Sequence, residues 1–284
     1  MVELGHGYLR TAIKDLKAAK TLYRYSLYPQ AVFYFAQSVE KANKSLVLLN
    51  SNFTEDYLAN KVRHDSTKIY DIAIIEQRKK YSKLLDNLDK CPELNNFSVI
   101  DRDKINGLLS ESGTFLSENS KFRKEKEKLA FLSTRELNNI LNNIYSELQT
   151  IENDMKEIAD MDLDIKSWIK EIDSTIERMR MDNTESANSL AEELENLKES
   201  NLEDLRKIIK ASWFLMAQGY LALIPLYYLA PIVLPHVNST RYPGKGTSPV
   251  EIYNINMPLV KKLPELFDLH SNTLRNLKIF RDKV

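Results

Sequence analysis

Glycine and proline are scarce in this sequence, and the few present are unevenly spread. Seven Gly and nine Pro occur among 284 residues, roughly half the usual frequency of the two. No proline lies between Pro92 and Pro225, and no glycine lies between Gly113 and Gly219. Sheet proteins need such residues for their tight turns, whereas helices need few of them. The sequence therefore predicts an all-α fold.

Cysteine is almost absent as well. Cys91 is the single cysteine, which excludes an intrachain disulfide and a thiolate-rich metal site. No metal-ligand spacing and no nucleophile elbow is visible, so we expect neither a metal nor a cofactor. The first residues lack the apolar stretch of a secretory signal. A reducing, cytoplasmic location is the expectation.

Net charge is also missing, because 40 Lys and Arg balance 40 Asp and Glu. An overall basic excess would be typical of a nucleic-acid-binding protein. The charges are nevertheless segregated: residues 1–70 hold ten basic and six acidic residues, and residues 235–284 hold eight and four. The two ends together carry +8 and the middle carries −8. We therefore expect an anionic partner at the ends.

Apolar residues recur every three or four positions, the pattern of amphipathic helices. The pattern over residues 4–25 and again from Pro29 to Asn50 predicts a helical hairpin with a very short turn. A third helix is expected to begin at residues 64–66, capped by Asp65 or Ser66. A last amphipathic helix is expected over residues 257–280.

The middle of the chain predicts an added helical layer. Apolar repeats over residues 137–158 and 165–179 indicate two long helices that fold back on each other at residues 159–162. Leucines over residues 190–205 offer a third helix. We predict that residues 71–210 form a coiled-coil-like insertion.

Residues 211–235 contain no charged side chain and are long enough to cross a bilayer. Gln218, Gly219 and three prolines dilute this hydrophobicity, and no second such segment exists. A central helix surrounded by other helices is also apolar on all sides. The pattern favours a core helix without a membrane, and a membrane span is the alternative.

The two ends resemble one split domain of a known family. A Q-x-x-E-K-x-x-K pattern on the second predicted helix is followed by a His-Asp turn, and an Arg-Tyr-Pro turn introduces the last helix. The residues that carry the resemblance are Ala31, Gln37, Glu40, Lys41, Lys44, His64, Asp65, Arg241, Tyr242 and Pro243. This arrangement resembles the HEPN domain, with residues 1–70 and 211–284 forming the two parts.

The resemblance implies an up-and-down bundle of four or five helices that is commonly dimeric. HEPN domains occur in RNases of toxin–antitoxin and defence systems, beside nucleotidyltransferase partners, and in proteins that only bind. The family's RNases use an R-x4-6-H motif, in which Arg holds the phosphate and His moves a proton. Arg offers a bidentate fork to a phosphate, and His titrates near neutral pH.

The candidate catalytic pair departs from that motif. His236 precedes Arg241, so the spacing fits but the order is reversed. Convergence on one phosphate is one interpretation. The other is structural: His236 meets the last carbonyls of a helix, and Arg241 clamps a carboxylate.

A second candidate site lies at Arg63, His64 and Lys68. Side chains at a helix start sit beside free backbone amides, which favours an anion such as a nucleotide phosphate. The alternative is that His64 and Asp65 only cap the helix. Glu40 and Lys44, four residues apart, are expected to pair along their helix, and Lys41 is expected to be a solvated charge. His270 falls on the apolar stripe of the last helix and is expected to be a hydrogen-bonded core residue.

Two functions are consistent with these patterns. The first is an RNA- or nucleotide-binding cytoplasmic homodimer, with metal-independent RNase activity as an extension and a nucleotidyltransferase or antitoxin as partner. The second is a non-catalytic scaffold that dimerises through its HEPN part and binds another protein through the insertion. A basic cleft that joins Arg63, His236 and Arg241 would favour the first function, and scattered positions would favour the second.

Overall fold

A computed structural model of the protein describes residues 2–50, 54–63, 65–90, 101–124, 131–182, 188, 191–192, 201–242 and 248–282. Helices account for most of these residues, short turns and irregular segments such as residues 161–164 account for the rest, and no strand occurs among them. The predicted all-α fold is confirmed.

Eleven helices are described, numbered in chain order. They are α1 (Val2–Arg24), α2 (Tyr28–Asn50), α3 (Glu55–Tyr57), α4 (Lys68–Lys90), α5 (Arg102–Lys124), α6 (Thr134–Asp160), α7 (Ile165–Asp182), α8 (Leu202–Val233), α9 (His236–Ser239), α10 (Pro249–Ile252) and α11 (Pro258–Arg281). A π-helical turn, Leu58–Val62, follows α3 directly. The predicted break between the two long middle helices is confirmed, since α6 ends at Asp160 and α7 begins at Ile165. Most of residues 190–200, part of a third predicted middle helix, lie outside the described residues.

The hairpin of α1 and α2 is confirmed and is held by buried serines. The Ser38 hydroxyl donates to the Ala12 carbonyl (2.7 Å), and the Ser45 hydroxyl donates to the Gly5 carbonyl (2.8 Å). A side chain at Gly5 would place its Cβ 3.2 Å from Leu49, so the absence of a Cβ there allows the two helices to approach closely.

The chain divides into two compact units. Unit 1 comprises Met1–Ile72, Asn119–Met155 and Leu215–Val284. Its core is formed by α1, α2, the second half of α8 and α11. Leu137, Leu141 and Ile144 of α6 belong to the same core. These three residues fall within the predicted insertion, and the assignment of residues 71–210 to one inserted layer stays a prediction.

Unit 2 comprises Ala73–Glu118 and Lys156–Phe214. A small cluster around Ile176 and Met179 is buried there. Two arginine side chains form hydrogen bonds between segments of this unit. Arg78 of α4 donates to Leu109 O and, at 2.8 Å, to Ser112 Oγ of α5. Arg206 of α8 donates to Leu163 O at 2.9 Å. Hydrogen bonds therefore connect the helices of unit 2 alongside limited apolar packing.

Helix α8 is long and apolar enough to cross a membrane by length and composition. Half of its most apolar 18-residue window is buried, including Leu226 and Leu229, which belong to the unit 1 core. A core helix of a soluble protein passes the same test, so this feature is weak evidence for a membrane span.

Candidate nucleic-acid interface

Positive charge is concentrated in unit 1. The unit holds 24 Lys and Arg against 17 Asp and Glu, whereas unit 2 holds 16 against 23. A positive surface attracts polyanions and raises their local concentration. The charge distribution therefore favours unit 1 over unit 2 for binding a polyanion such as nucleic acid.

Arg241 is an exposed cation that lies against two aromatic rings. Its Cζ is 5.3 Å from the centroid of the Phe33 ring and 5.2 Å from that of the Tyr242 ring, within the range of cation–π attraction. No carboxylate among the described residues forms an ion pair with it, so the predicted carboxylate clamp has no partner in that part of the chain. The rings restrict the side chain without neutralising its charge.

The backbone that presents Arg241 is a tight turn after the four-residue helix α9. The Thr240 N–H donates to His236 O (3.0 Å), and the Arg241 N–H donates to Asn238 O (3.1 Å). The Thr240 hydroxyl also donates to His236 O, at 2.9 Å. These bonds fix the residue before Arg241 and leave the arginine side chain on the surface.

Further aromatic side chains adjoin this cation. The rings of Phe33 and Tyr34 are 5.4 Å apart and nearly perpendicular, at 79°. Tyr34 is 38% exposed and Tyr242 is 60% exposed. We call Phe33, Tyr34, Arg241 and Tyr242 the arginine–aromatic platform. Sequence reasoning did not identify its rings as site residues, although Phe33 and Tyr34 fall off the apolar stripe of α2, which is a detectable signal.

His236 faces the interior. It is 2% exposed, and its Nδ1 lies 2.8 Å from the hydroxyl of the buried Tyr253. Burial lowers the pKa of His236 to about 4 and raises the pKa of Tyr253 to about 12. Both side chains are therefore neutral at pH 7.

The two members of the candidate catalytic pair contact different groups. His236 contacts Tyr253, whereas Arg241 lies over Phe33. A neutral imidazole is the form that accepts a proton as a general base, but a low exposed fraction limits the access of substrate. The catalytic role of this pair stays a prediction.

The second candidate site follows the π-helical turn. Arg63 is exposed and has a positive φ of 54° with ψ of −120°, a backbone conformation that is strained for a residue with a Cβ. Lys68 begins α4 and is half-buried. The Asp65 carboxylate accepts the Thr67 N–H at 3.3 Å. Helix α4 begins at Lys68, later than the predicted start at residues 64–66, so Asp65 lies in the turn before the helix and its capping role stays a prediction. His64 lies outside the described residues, and the anion-binding role of all three predicted residues is untested.

The two candidate sites lie at different ends of α2. Val62, which precedes Arg63, packs with Val47 and Leu48, whereas Arg241 lies over Phe33. Fourteen residues separate Phe33 from Val47, which is about 20 Å along a helix axis. Arg63 and Arg241 are therefore not expected to hold the same phosphate. The predicted cleft that joins Arg63, His236 and Arg241 is not formed, and by that criterion the scattered positions favour the non-catalytic interaction protein.

Other titratable side chains that the sequence singled out have structural partners. Lys44 Nζ lies 2.7 Å from Glu40 Oε1, which confirms the predicted pair. The expectation that Lys41 is a solvated charge is wrong, because it pairs with Asp15 of α1 and both side chains are largely buried. Lys41 lies on the side of α2 that faces α1. The spacing of residues within α2 does not show that Asp15 of α1 lies opposite.

His270 is a core residue, as predicted, and is fully buried. Since the Ser38 hydroxyl donates to Ala12 O, it accepts from His270 Nε2 at 2.9 Å. Burial, together with the charge of Lys20, lowers the pKa of His270 to about 3. No group of three or more His, Cys, Asp or Glu suited to a metal occurs among the described residues.

Comparison with protein families bears on the first part of the chain. The HEPN domain model matches residues 6–98, about a third of the sequence. Over this segment the chain is similar to a HEPN domain. The match covers α1 to α4, the segment that contains Phe33, Tyr34, Arg63 and Lys68, and confirms the predicted recognition.

The HEPN match ends before α5, so the resemblance of residues 211–284 to the closing part of a HEPN domain stays a prediction. No curated protein and no solved structure matches the chain. The HEPN domain is often found in RNases and nucleotide-binding proteins. The positive charge and the exposed rings of the arginine–aromatic platform are the local features that bear on such a function.

Proposed function

We propose that unit 1 of this HEPN protein binds RNA or a nucleotide, and that Arg241 contacts a phosphate of the ligand. The observation that carries the proposal is the exposed guanidinium of Arg241, which lies against two aromatic rings and has no carboxylate partner among the described residues. The excess of basic residues in unit 1 supports it.

The chemistry of the guanidinium fits a phosphate. Its planar fork donates two parallel hydrogen bonds to phosphate oxygens, and charge-assisted bonds of this kind are strong. Because Phe33 and Tyr242 already restrict the side chain, binding loses less conformational entropy than it would with a free arginine. A positive unit also accelerates the encounter with a polyanion.

Ligand titration of point variants tests the contact. We expect Arg241→Ala to lower the affinity for a labelled RNA oligonucleotide or for ATP at low salt by about 1.5–3 kcal/mol, or tenfold and more. Arg241→Lys should recover only part of the loss, because an ammonium keeps the charge but not the planar fork. Arg10→Ala is the matched control: it removes the same charge from an exposed position of α1.

Thermal unfolding of the same samples separates binding from folding. A structural role for Arg241 would lower the melting temperature of Arg241→Ala and change binding only through the loss of folded protein. Equal affinities of Arg241→Ala and Arg10→Ala would exclude a specific contact. If the wild type binds neither RNA nor nucleotide at low salt, where phosphate contacts are strongest, the proposal fails.

Metal-independent RNA cleavage is an extension of this proposal, with Arg241 holding the phosphate and His236 moving the proton. It requires that His236→Ala and Arg241→Ala each abolish cutting that persists in EDTA. Activity retained in either variant would show that the pair is not catalytic. The burial of His236 and its contact with the Tyr253 hydroxyl favour binding of the ligand without cleavage.

A cytoplasmic homodimer, with a nucleotidyltransferase or antitoxin as partner, belongs to the same proposal. Light scattering at micromolar protein tests the dimer. A mass that stays near the 32.9 kDa of one chain at all accessible concentrations would exclude it.

A further inference from the structure

We infer that the arginine–aromatic platform takes an unpaired nucleobase on the ring of Tyr242, so that the protein selects single-stranded over duplex nucleic acid. The inference rests on the proposed function, since it assumes that Arg241 contacts a phosphate. It adds a second recognition element and a discrimination that phosphate binding by itself does not provide.

The position of Tyr242 carries the argument. Tyr242 is 60% exposed as a residue, and the one aromatic or cation–π contact of its ring within the described residues is with Arg241. Phe33 lies beneath the same guanidinium and also contacts Tyr34, so the platform is anchored on α2. A large part of the Tyr242 surface is therefore open beside a fixed positive charge.

Other exposed rings in unit 1 lack this combination. Tyr25 and Phe131 are each 75% exposed, yet neither makes a cation–π or ring–ring contact among the described residues. Isolated exposed apolar side chains are ordinary features of protein surfaces. The platform differs because three rings and one guanidinium are contiguous.

The ligand that fits this combination has both a flat π-face and a phosphate. A nucleotide in a single strand offers both, because its base can leave the stack and lie on an aromatic ring while the backbone meets the cation. In an A-form duplex the bases are paired and stacked, and the outer surface offers phosphates without a free base face. The platform is therefore complementary to unpaired nucleotides.

Three probes test the inference: an unstructured 12-nucleotide RNA strand, the same strand annealed to its complement, and an abasic strand of the same length. We expect Tyr242→Ala to weaken binding of the base-bearing single strand roughly 5- to 150-fold, the effect of losing one stacked base. Its affinity for the duplex and for the abasic strand should stay within about twofold of wild type. Tyr242→Phe should bind like wild type, because stacking does not need the hydroxyl.

Tyr220→Ala is the control. Tyr220 is 46% exposed on α8 of the same unit and has no ring contact among the described residues, so this variant should bind all three probes like wild type. The inference is overturned if the wild type binds the abasic strand as tightly as the base-bearing strand, or if Tyr242→Ala weakens all three probes alike. In either case an effect of Arg241→Ala would leave the proposed function standing. Failure of the wild type to bind any of the three probes would also overturn the inference, and it would end the proposed function only if ATP is not bound either.

Discussion

Units 1 and 2 are both built from amphipathic helices, but they bury very different numbers of apolar side chains. Among the described residues, unit 1 contains 39 of the buried apolar side chains and unit 2 contains six. The units also carry opposite net charge, and all four histidines lie in unit 1. A helical repeat of apolar residues in the sequence therefore does not by itself tell how deeply the helix is packed.

Acid should destabilise the protein mainly through unit 1, and this is the largest effect that we predict. The folded pKa values of His236 and His270, about 4 and about 3, lie below the ordinary value of 6.5. Below pH 6.5 the two imidazoles therefore bind protons in the unfolded chain but stay neutral in the folded chain until the pH approaches their lowered pKa values. The stability associated with neutral imidazoles is intact above pH 6.5 and is lost as the pH falls toward 4, by about 3 kcal/mol for each histidine at pH 4.

Urea unfolding followed by circular dichroism at pH 7 and pH 4 checks this prediction. His236→Gln and His270→Gln should each reduce the difference between the two pH values by about 3 kcal/mol. If a variant without both histidines loses as much stability in acid as the wild type, other groups are responsible.

A core substitution in α6 tests how deeply this helix is packed. Leu141 is 2% exposed and lies in the unit 1 core. We expect Leu141→Ala to lower the free energy of unfolding by about 2–5 kcal/mol, because it removes buried methyl groups and leaves a cavity.

The same change in unit 2 is the control for α6. Leu84 of α4 is 38% exposed, so we expect Leu84→Ala to lower the free energy of unfolding by less than about 1 kcal/mol. Denaturant unfolding of both variants measures the difference. Equal losses would contradict the different packing of the two residues.

Substitution of two glycines, one in each unit, should change the stability of the protein in opposite directions. A Cβ at Gly219 of α8 would lie 3.3 Å from the Phe280 ring, whereas a Cβ at Gly107 of α5 would meet nothing within 4 Å. Gly219→Leu should therefore destabilise the protein by about 1–3 kcal/mol through overpacking. Gly107→Leu should stabilise it by up to about 1 kcal/mol, because leucine favours a helix over glycine.

Melting temperatures of the two glycine variants provide the measurement. A gain in stability with Gly219→Leu would show that the contact between α8 and Phe280 is loose. A loss with Gly107→Leu would show that this face of α5 is covered.

Local features of the fold were predictable from the sequence because they depend on neighbours along the chain. The scarcity of glycine and proline predicted the all-α fold, and the three- and four-residue spacings predicted the hairpin of α1 and α2. Glu40 and Lys44 pair as predicted because both lie on one helix, four residues apart. The HEPN resemblance likewise depended on residues within short segments.

Features that join distant segments were decided by the tertiary structure. Ser38 and His270 are 232 residues apart in sequence and share a hydrogen bond, and Lys41 finds Asp15 across the hairpin. Arg241 was a candidate from the sequence, but its position over Phe33 depends on the packing of the turn after α9 against α2. Helical periodicity specifies which side of a helix is apolar and leaves open which helix covers it, since hydrophobic attraction is not directional. The partners of each face are therefore set by how all the helices pack together.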